Sequence, residues 1–357
     1  MRRVSTSPHF HSGASTKNIM YSVAAALAPA AIWGVVVFGL RALVVLLISI
    51  FFSLLTEFLL GRINKEMTLW DGSALVTGLL VGMNMSPTIP LFIPAIASIF
   101  AIAVAKWTFG GLGANWANPA IAGRVFVFFS FTSAMSSFKM PRTLAVDAVS
   151  SATPLSFIKT AVSAGESVGQ TGIQILANNG YPTTALAQKI QAATGISAYN
   201  VDAFLGNIPG CIGEVSKLLL ILGGIYLLVR KIITWHIPVS FLGSFAVLTW
   251  IFGGIPNGLG FFHGEVLANM LRGGLILGAF FMATDMVTTP VTHKGMIIFG
   301  VGCGFFTFLF RSFGSLPEAT SVAILMMNIM TPTIDRFVVP KKFGEVVKEP
   351  KEVKKNA

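Results

Sequence analysis

Long apolar runs separated by short polar turns dominate this 357-residue chain. Runs long enough to span ~30 Å of hydrocarbon lie at 20–40, 42–60, 72–86, 89–107, 119–137, 211–229, 237–253, 265–283, 295–312 and 319–336. The pattern predicts an all-α polytopic membrane protein with about ten transmembrane helices. A Gly-rich short helix running into a Pro occurs once in each half, as GLLVGMNMSP (Gly78 to Pro87) and GAFFMATDMVTTP (Gly278 to Pro290). An odd number of crossings per half makes the two copies inverted. The expected architecture is therefore an inverted five-plus-five repeat with broken helices, a plan that puts binding or permeation sites near the midplane in many transporters. Gly and Pro are also common in membrane helices generally, so the repeat by itself leaves the existence of such a site open.

Composition agrees with that solvent. Hydrophobic residues make up 54% of the chain and charged residues 11%, against about 25% charged in a soluble domain, which excludes an ordinary globular fold. The net charge of +11 does not point to nucleic acid, because the basic residues sit in short loops and at both ends rather than on one face. They act as topology signals. Arg2, Arg3 and Lys17 at one end, and Lys341, Lys342, Lys348, Lys351, Lys354 and Lys355 at the other, put both termini in the cytoplasm of a multi-pass protein of the cell inner (plasma) membrane. Arg62, Lys65, Lys106, Arg230, Lys231, His293 and Lys294 fall on the same side, with Arg41 and Arg311 as exceptions. The first apolar run is too long for the core of a cleaved signal peptide, so that helix is expected to stay.

The resulting organisation is a cytoplasmic segment 1–18, a first transmembrane half 19–138, an external or periplasmic segment 139–208 rich in Ser, Thr, Gln, Asn and Gly, a second half 209–340, and a charged cytoplasmic tail 341–357. The tail has no apolar periodicity and is expected to be disordered.

Ionisable groups within or at the edge of a crossing are costly and are functional candidates by default. Glu57, Asp71, Lys106, Arg124, Glu214, Lys217, Glu265, Asp285 and Glu318 qualify; taken singly, the ordinary expectation for each is an ion pair or an interfacial position. Asp285 stands out because a Pro break follows it, where freed backbone groups help hold a cation or a polar ligand. Glu57, near the cytoplasmic end of the second helix, comes next. FGGLGANWANPAIAGR (Phe109 to Arg124) is a Gly- and Asn-rich turn into a helix that begins at Pro119 with Asn118 as its cap. Asn115 and Asn118 offer amide donors and acceptors suited to a ring system with carbonyls and nitrogens, or simply make a tight capped turn. Cys211 and Cys303 are too few for a closed zinc site or an iron–sulfur cluster, and His236, His263 and His293 have no metal-ligand spacing. No nucleophile–base arrangement, P-loop or dinucleotide-binding glycine pattern is present.

The segment DAVSSATPL (Asp147 to Leu155) resembles the flavinylation motif shared by two membrane subunits of redox-driven pumps, the Rnf D subunit and the Nqr B subunit. The blocks DGSALVTGLLVGMNMSPTIP, KWTFGGLGANWANPAIAGRVFVFF, PGCIGEVSKLLLILGG, GAFFMATDMVTTPVTHKG and LPEATSVAILMMNIMTPTIDR also resemble that family, in its order, over residues 15 to 345. Ser151 departs from the Gly found in many members, and the charged tail departs as well.

The resemblance implies FMN attached through its phosphate to the Thr153 hydroxyl by an FMN transferase, with Asp147, Ser150, Ser151 and Ala152 completing the motif. Pro154 is expected to hold that stretch extended and accessible. It also implies riboflavin held noncovalently among the helices, for which Asn115, Asn118 and Asp285 are carried over; because a reduced flavin in a low-dielectric bundle favours a compensating cation nearby, Glu57 and Asp285 are the candidates for an ion path. The implied role is a membrane component of an ion-translocating ferredoxin:NAD oxidoreductase of the Rnf type, coupling electron transfer to Na⁺ or H⁺ transport alongside other subunits, including a second covalent-flavin subunit. The Nqr B subunit, of a Na⁺-translocating NADH:quinone reductase, is the alternative; the late start of the first helix, near residue 20, favours Rnf. A channel or solute carrier without flavin is the alternative of another class.

Overall fold

The computed structural model describes residues 15–66, 68–144, 152–165, 169–314 and 319–339. Among these every regular element is helical. The first half holds α1 (Thr16–Phe38), α2 (Leu40–Ile63), α3 (Ser73–Met83), α4 (Phe92–Phe100), α5 (Pro119–Ser130) and α6 (Thr132–Met135). A smaller unit follows, of α7 (Pro154–Ser163), α8 (Gly172–Asn178), α9 (Ala185–Thr194) and α10 (Ala198–Leu205). The second half holds α11 (Lys217–Val229), α12 (His236–Phe252), α13 (Val266–Leu271), α14 (Leu275–Leu277), α15 (His293–Ser312) and α16 (Thr320–Phe337).

Four helical stretches are long and apolar enough to cross a membrane: Thr16–Phe38, Leu40–Ile63, Phe92–Phe109 and His293–Ser312. With the composition, they make the chain a multi-pass helical membrane protein. Two other apolar runs are short or divided. α3 has 11 residues and rises only about 16 Å, half a bilayer core. The run at 265–283 is divided into α13, α14 and a π-helical turn over Gly278–Met282. Both Gly-rich stretches thus break before their Pro, and the breaks touch: the Asn84 amide lies 3.6 Å from Met282 Sδ. The segment ahead of α11 completes the junction, with Ile212 N–H donating to Met85 C=O at 3.0 Å and Gly213 N–H to Met83 C=O at 2.7 Å. The carbonyls released where α3 ends are thus satisfied by N–H groups of that segment, as a low-dielectric interior requires.

Small residues set the closest helix approach. α12 and α15 pack along Gly300 and Gly304; a Cβ on Gly300 would stand 2.9 Å from Ile237 C=O, and one on Gly304 2.7 Å from Phe241 C=O. Gly39 separates α1 from α2 at φ +85°, a conformation that Gly adopts without strain.

The segment expected as an external loop is a folded helical cap. Ala187, Ala198 and Val201 form its own small core, and buried Asp202 accepts hydrogen bonds from Thr184 N–H (2.9 Å) and Oγ1 (2.5 Å). The cap lies at the end of the bundle where α1 terminates: Gly39 abuts Arg142, and Gly206 abuts Trp33. The segment 1–14 and the tail 341–357 lie outside the described residues, as do Asp147, Ser150, Ser151 and Glu318.

Candidate functional site

Thr153 is the N-cap of α7. With Pro154 at the first helical position, its extended backbone (φ −62°, ψ 153°) lets the hydroxyl accept from Ser156 N–H at 3.2 Å and pair with Ser156 Oγ at 2.9 Å. The extended conformation matches the expectation from Pro154; the accessibility does not. Thr153 is 4% exposed; its hydroxyl is turned to Ser156 of α7, and Lys217, the first residue of α11, lines the same crevice. Ala152 is exposed, and its C=O accepts from Tyr181 Oη at 3.0 Å. Burial raises the Tyr181 phenol above its ordinary value, opposed by the positive charge of Arg272, so it remains a donor at neutral pH.

A narrow crevice at Thr153 is lined by Pro209, Gly210, Glu214, Lys217 and Arg272. Across Leu155 and Arg272 lies a larger polar cavity of about 190 Å³, with Lys159, Asn257, Asn269 and Arg311 on its walls. Burial and the nearby Arg311 lower the Lys159 pKa. Arg311, one of the two topology exceptions, is 5% exposed, donates to Asn269 C=O at 2.8 Å and lies 5.2 Å from the Phe245 ring centre. The other, Arg41, donates to Thr88 C=O at 3.1 Å. Both donate to backbone carbonyls of the protein.

A second site lies where α1 begins. Asn115, Asn118 and Asp285 share the wall of a cavity of about 370 Å³ with Thr16, Ser73 and Lys106. Asn115 Nδ2 approaches Asp285 Oδ2 at 3.4 Å, and Thr288 Oγ1 donates to the same oxygen at 3.2 Å. Asn118 has structural work: Oδ1 accepts from Ala120 and Ile121 N–H, and Nδ2 donates to Met282 C=O at 3.1 Å. Sequence reasoning placed these three residues together and could not assign Asn118 between cap and ligand; the geometry gives it the cap.

Behind this wall Glu57 is 1% exposed and fully engaged. It accepts from Lys106 Nζ at 2.7 Å, from Trp107 Nε1 at 2.9 Å and from Thr68 Oγ1, while Lys106 also donates to Ser73 Oγ at 2.7 Å. Asp285 and Glu57 are therefore separate: one borders the cavity, and the other is reached from it through Lys106. α1, 23 residues and about 34 Å long, runs from this cavity to the cap. Between the two ends Arg124 ties the halves together, donating to Asn84 Oδ1 (2.9 Å) and Ser321 Oγ (2.6 Å) and pairing with Glu214 at 3.4 Å.

Residues 3–344 match the model of the NQR2, RnfD, RnfE family. The chain belongs to that family. The D subunit of a proton-translocating ferredoxin:NAD(+) oxidoreductase complex from Clostridium ljungdahlii is 43% identical over 342 residues, 96% of either chain. The D subunit of a Na(+)-translocating ferredoxin:NAD(+) oxidoreductase complex from Acetobacterium woodii is 39% identical over 98% of either chain. That of an ion-translocating oxidoreductase complex from Stutzerimonas stutzeri is 35% identical over 92% of either chain. These names agree with the preference for Rnf over Nqr.

In this member of the NQR2, RnfD, RnfE family, sequence reasoning named Lys106 as a topology signal and as an ionisable residue in an apolar run, and missed its pairing with Glu57. It missed Arg272 altogether, although an Arg between LANML and GGLILG carries the same signal. His236 and His293, read as scattered, stack with ring centres 4.4 Å apart, since α12 and α15 start side by side; among the described residues no metal-ligand cluster forms.

Proposed function

We propose that this chain is the D subunit of an ion-translocating ferredoxin:NAD(+) oxidoreductase complex, that Thr153 carries FMN as a phosphate ester, and that electron transfer through it is coupled to movement of Na⁺ or H⁺ across the inner membrane. The observation that carries this reading is 43% identity over 96% of the chain to a protein of that name, together with DAVSSATPL around Thr153. Two of the relatives are named for different ions, so identity at this level leaves the ion to experiment. Both termini are cytoplasmic in this reading and the cap is external, supported by the Lys and Arg distribution and by the position of Thr153 at the far end of α1 from Thr16.

A bound flavin supplies the electron-accepting ring; the protein supplies position, dielectric and charge. At the cap, Thr153 Oγ1 is the ester oxygen, and buried cationic groups suit a phosphate. Because the hydroxyl is 4% exposed, the transferase meets Thr153 before α7 seats. At the other end, the cavity of about 370 Å³ has the size and mixed lining of a ring-binding pocket, with Asn115 and Asp285 as its polar edge for riboflavin. Glu57 and Asp285 are the acids available to a transported cation, and at Glu57 that cation has to displace the Lys106 ammonium.

The test is the intact mass and in-gel flavin fluorescence of the denatured chain, as wild type, Thr153→Ala and Thr153→Ser, from the native host. An added FMN mass in wild type, lost in Thr153→Ala and kept in Thr153→Ser, is the expected result. An unmodified wild-type chain beside a working transferase would overturn the flavin assignment.

A further inference from the structure

Arg272 closes α13 inside the protein, 2% exposed. Its Nη2 donates no hydrogen bond among the described residues, and a buried guanidinium N–H without an acceptor carries the cost expected for a desolvated polar group. The side chain forms the partition between the Thr153 crevice and the 190 Å³ cavity, lining both. Two acids stand nearby: Glu265 faces Arg272 as an opposite charge, and Glu214 lies in the crevice with neither carboxylate oxygen hydrogen-bonded among the described residues. Glu214 pairs with Arg124 at 3.4 Å, and the Glu265 carboxylate accepts from Ile173 N–H at 3.1 and 3.3 Å. Lys217, 1% exposed, adds an ammonium to the crevice and donates to Glu214 C=O.

We propose that Arg272, assisted by Lys217, is the anion-binding residue for the phosphodiester on Thr153. This inference rests on the reading of Thr153 as the FMN acceptor. A phosphodiester carries one negative charge and two unesterified oxygens, and a guanidinium offers a planar fork of N–H donors that matches them. The crevice is about 10 Å³, room for roughly one water and not for a phosphate, so it widens when the ester is present. The orphaned Nη2 then gains an acceptor. Ester formation at this place thus relieves a cost present in the unmodified chain. Arg272 is a positioning residue: it holds the ester, and with it the attached flavin, against the polar cavity beyond Leu155.

The decisive measurement is the ³¹P resonance of the Thr153 ester in delipidated, detergent-solubilised complex, native and then denatured, assigned by its absence from Thr153→Ala. Intact mass confirms that each sample carries FMN. In native wild type the resonance stands clearly displaced from its denatured position; in Arg272→Gln the native resonance moves most of the way back, and in Arg272→Lys it takes an intermediate place. A wild-type resonance at the same position native and denatured overturns the inference without any variant, as does a displacement that Arg272→Gln and Arg272→Lys both leave unchanged. Absence of FMN mass from wild type is a different failure, that of the Thr153 reading itself.

Discussion

Lys106 donates to Glu57 at 2.7 Å with both side chains sealed from solvent, 2% and 0% exposed. The pair joins α2 to the π-helical end of α4 beside the cavity that holds Asp285. Removing one partner leaves an uncompensated buried charge, which costs about 3–5 kcal/mol, whereas removing both is far milder. Lys106→Met is therefore expected to lower the thermal unfolding temperature of the detergent-solubilised protein sharply, and Lys106→Met/Glu57→Leu to recover most of the loss. A double variant as unstable as the single one would show that the residues are not coupled.

Glu57→Gln removes the proposed acid while leaving Ser73 as an acceptor for Lys106. Ion transport driven by electron transfer is expected to fall in this variant and in Asp285→Asn, with flavin reduction retained. Unchanged transport in reconstituted vesicles removes the residue concerned from the ion path.

Asn115 and Asp285 face each other at 3.4 Å across the wall of the larger cavity. If they form the polar edge for riboflavin, Asn115→Ala and Asp285→Ala lower the noncovalent flavin extracted by acid several-fold, with the FMN mass on Thr153 unaltered. Asn118→Ala acts differently: it removes a helix cap worth about 1 kcal/mol and is read as lost stability. Riboflavin at the wild-type level in both Asn115→Ala and Asp285→Ala would move the site elsewhere.

Tyr181→Phe deletes the hydrogen bond to Ala152 C=O, a loss of about 1 kcal/mol. Hydrogen exchange at α7 should quicken relative to wild type. The phenol is raised from 10.0 by burial, with Arg272 opposing. An acid whose folded pKa is raised keeps its contribution below the unfolded value; above it the unfolded chain ionises first and gains. Wild type therefore loses stability above about pH 10 in a way that Tyr181→Phe does not. Parallel pH–stability curves for the two proteins would contradict this.

Gly304→Val sets a branched side chain where even a Cβ stands 2.7 Å from Phe241 C=O. α12 and α15 then separate, at a cost of about 1–3 kcal/mol or more. Accumulation in the membrane and unfolding temperature should both drop, while Gly243→Val on the same helix pair, with nothing within 4 Å of its Cβ, is expected to be mild.

Hydrophobic pattern was sufficient for helicity, for membrane residence and for the position of the breaks at Asn84 and Ala283, because lipid solvation and proline geometry act along the chain and need no partner. The motif around Thr153 was legible for the same reason: it is contiguous. So was the capped turn at Asn115 and Asn118.

Which charges meet was not legible. Lys106 reaches Glu57 from 49 positions away within the first half, and Arg124 joins Asn84 of its own half to Ser321 of the other, 197 positions beyond Arg124; these pairings come from tertiary packing, which no local spacing encodes. The burial of Thr153 was missed because exposure belongs to a residue's surroundings, here a crevice lined by Pro209, Glu214, Lys217 and Arg272, and not to the residue itself. The sequence by itself determined the solvent, the helices and the motif around Thr153. Only the tertiary structure decided that the hydroxyl is enclosed, and that a guanidinium lacking an acceptor lies in the wall beside it, because in a low-dielectric interior the identity of each charge's neighbour is set by the fold.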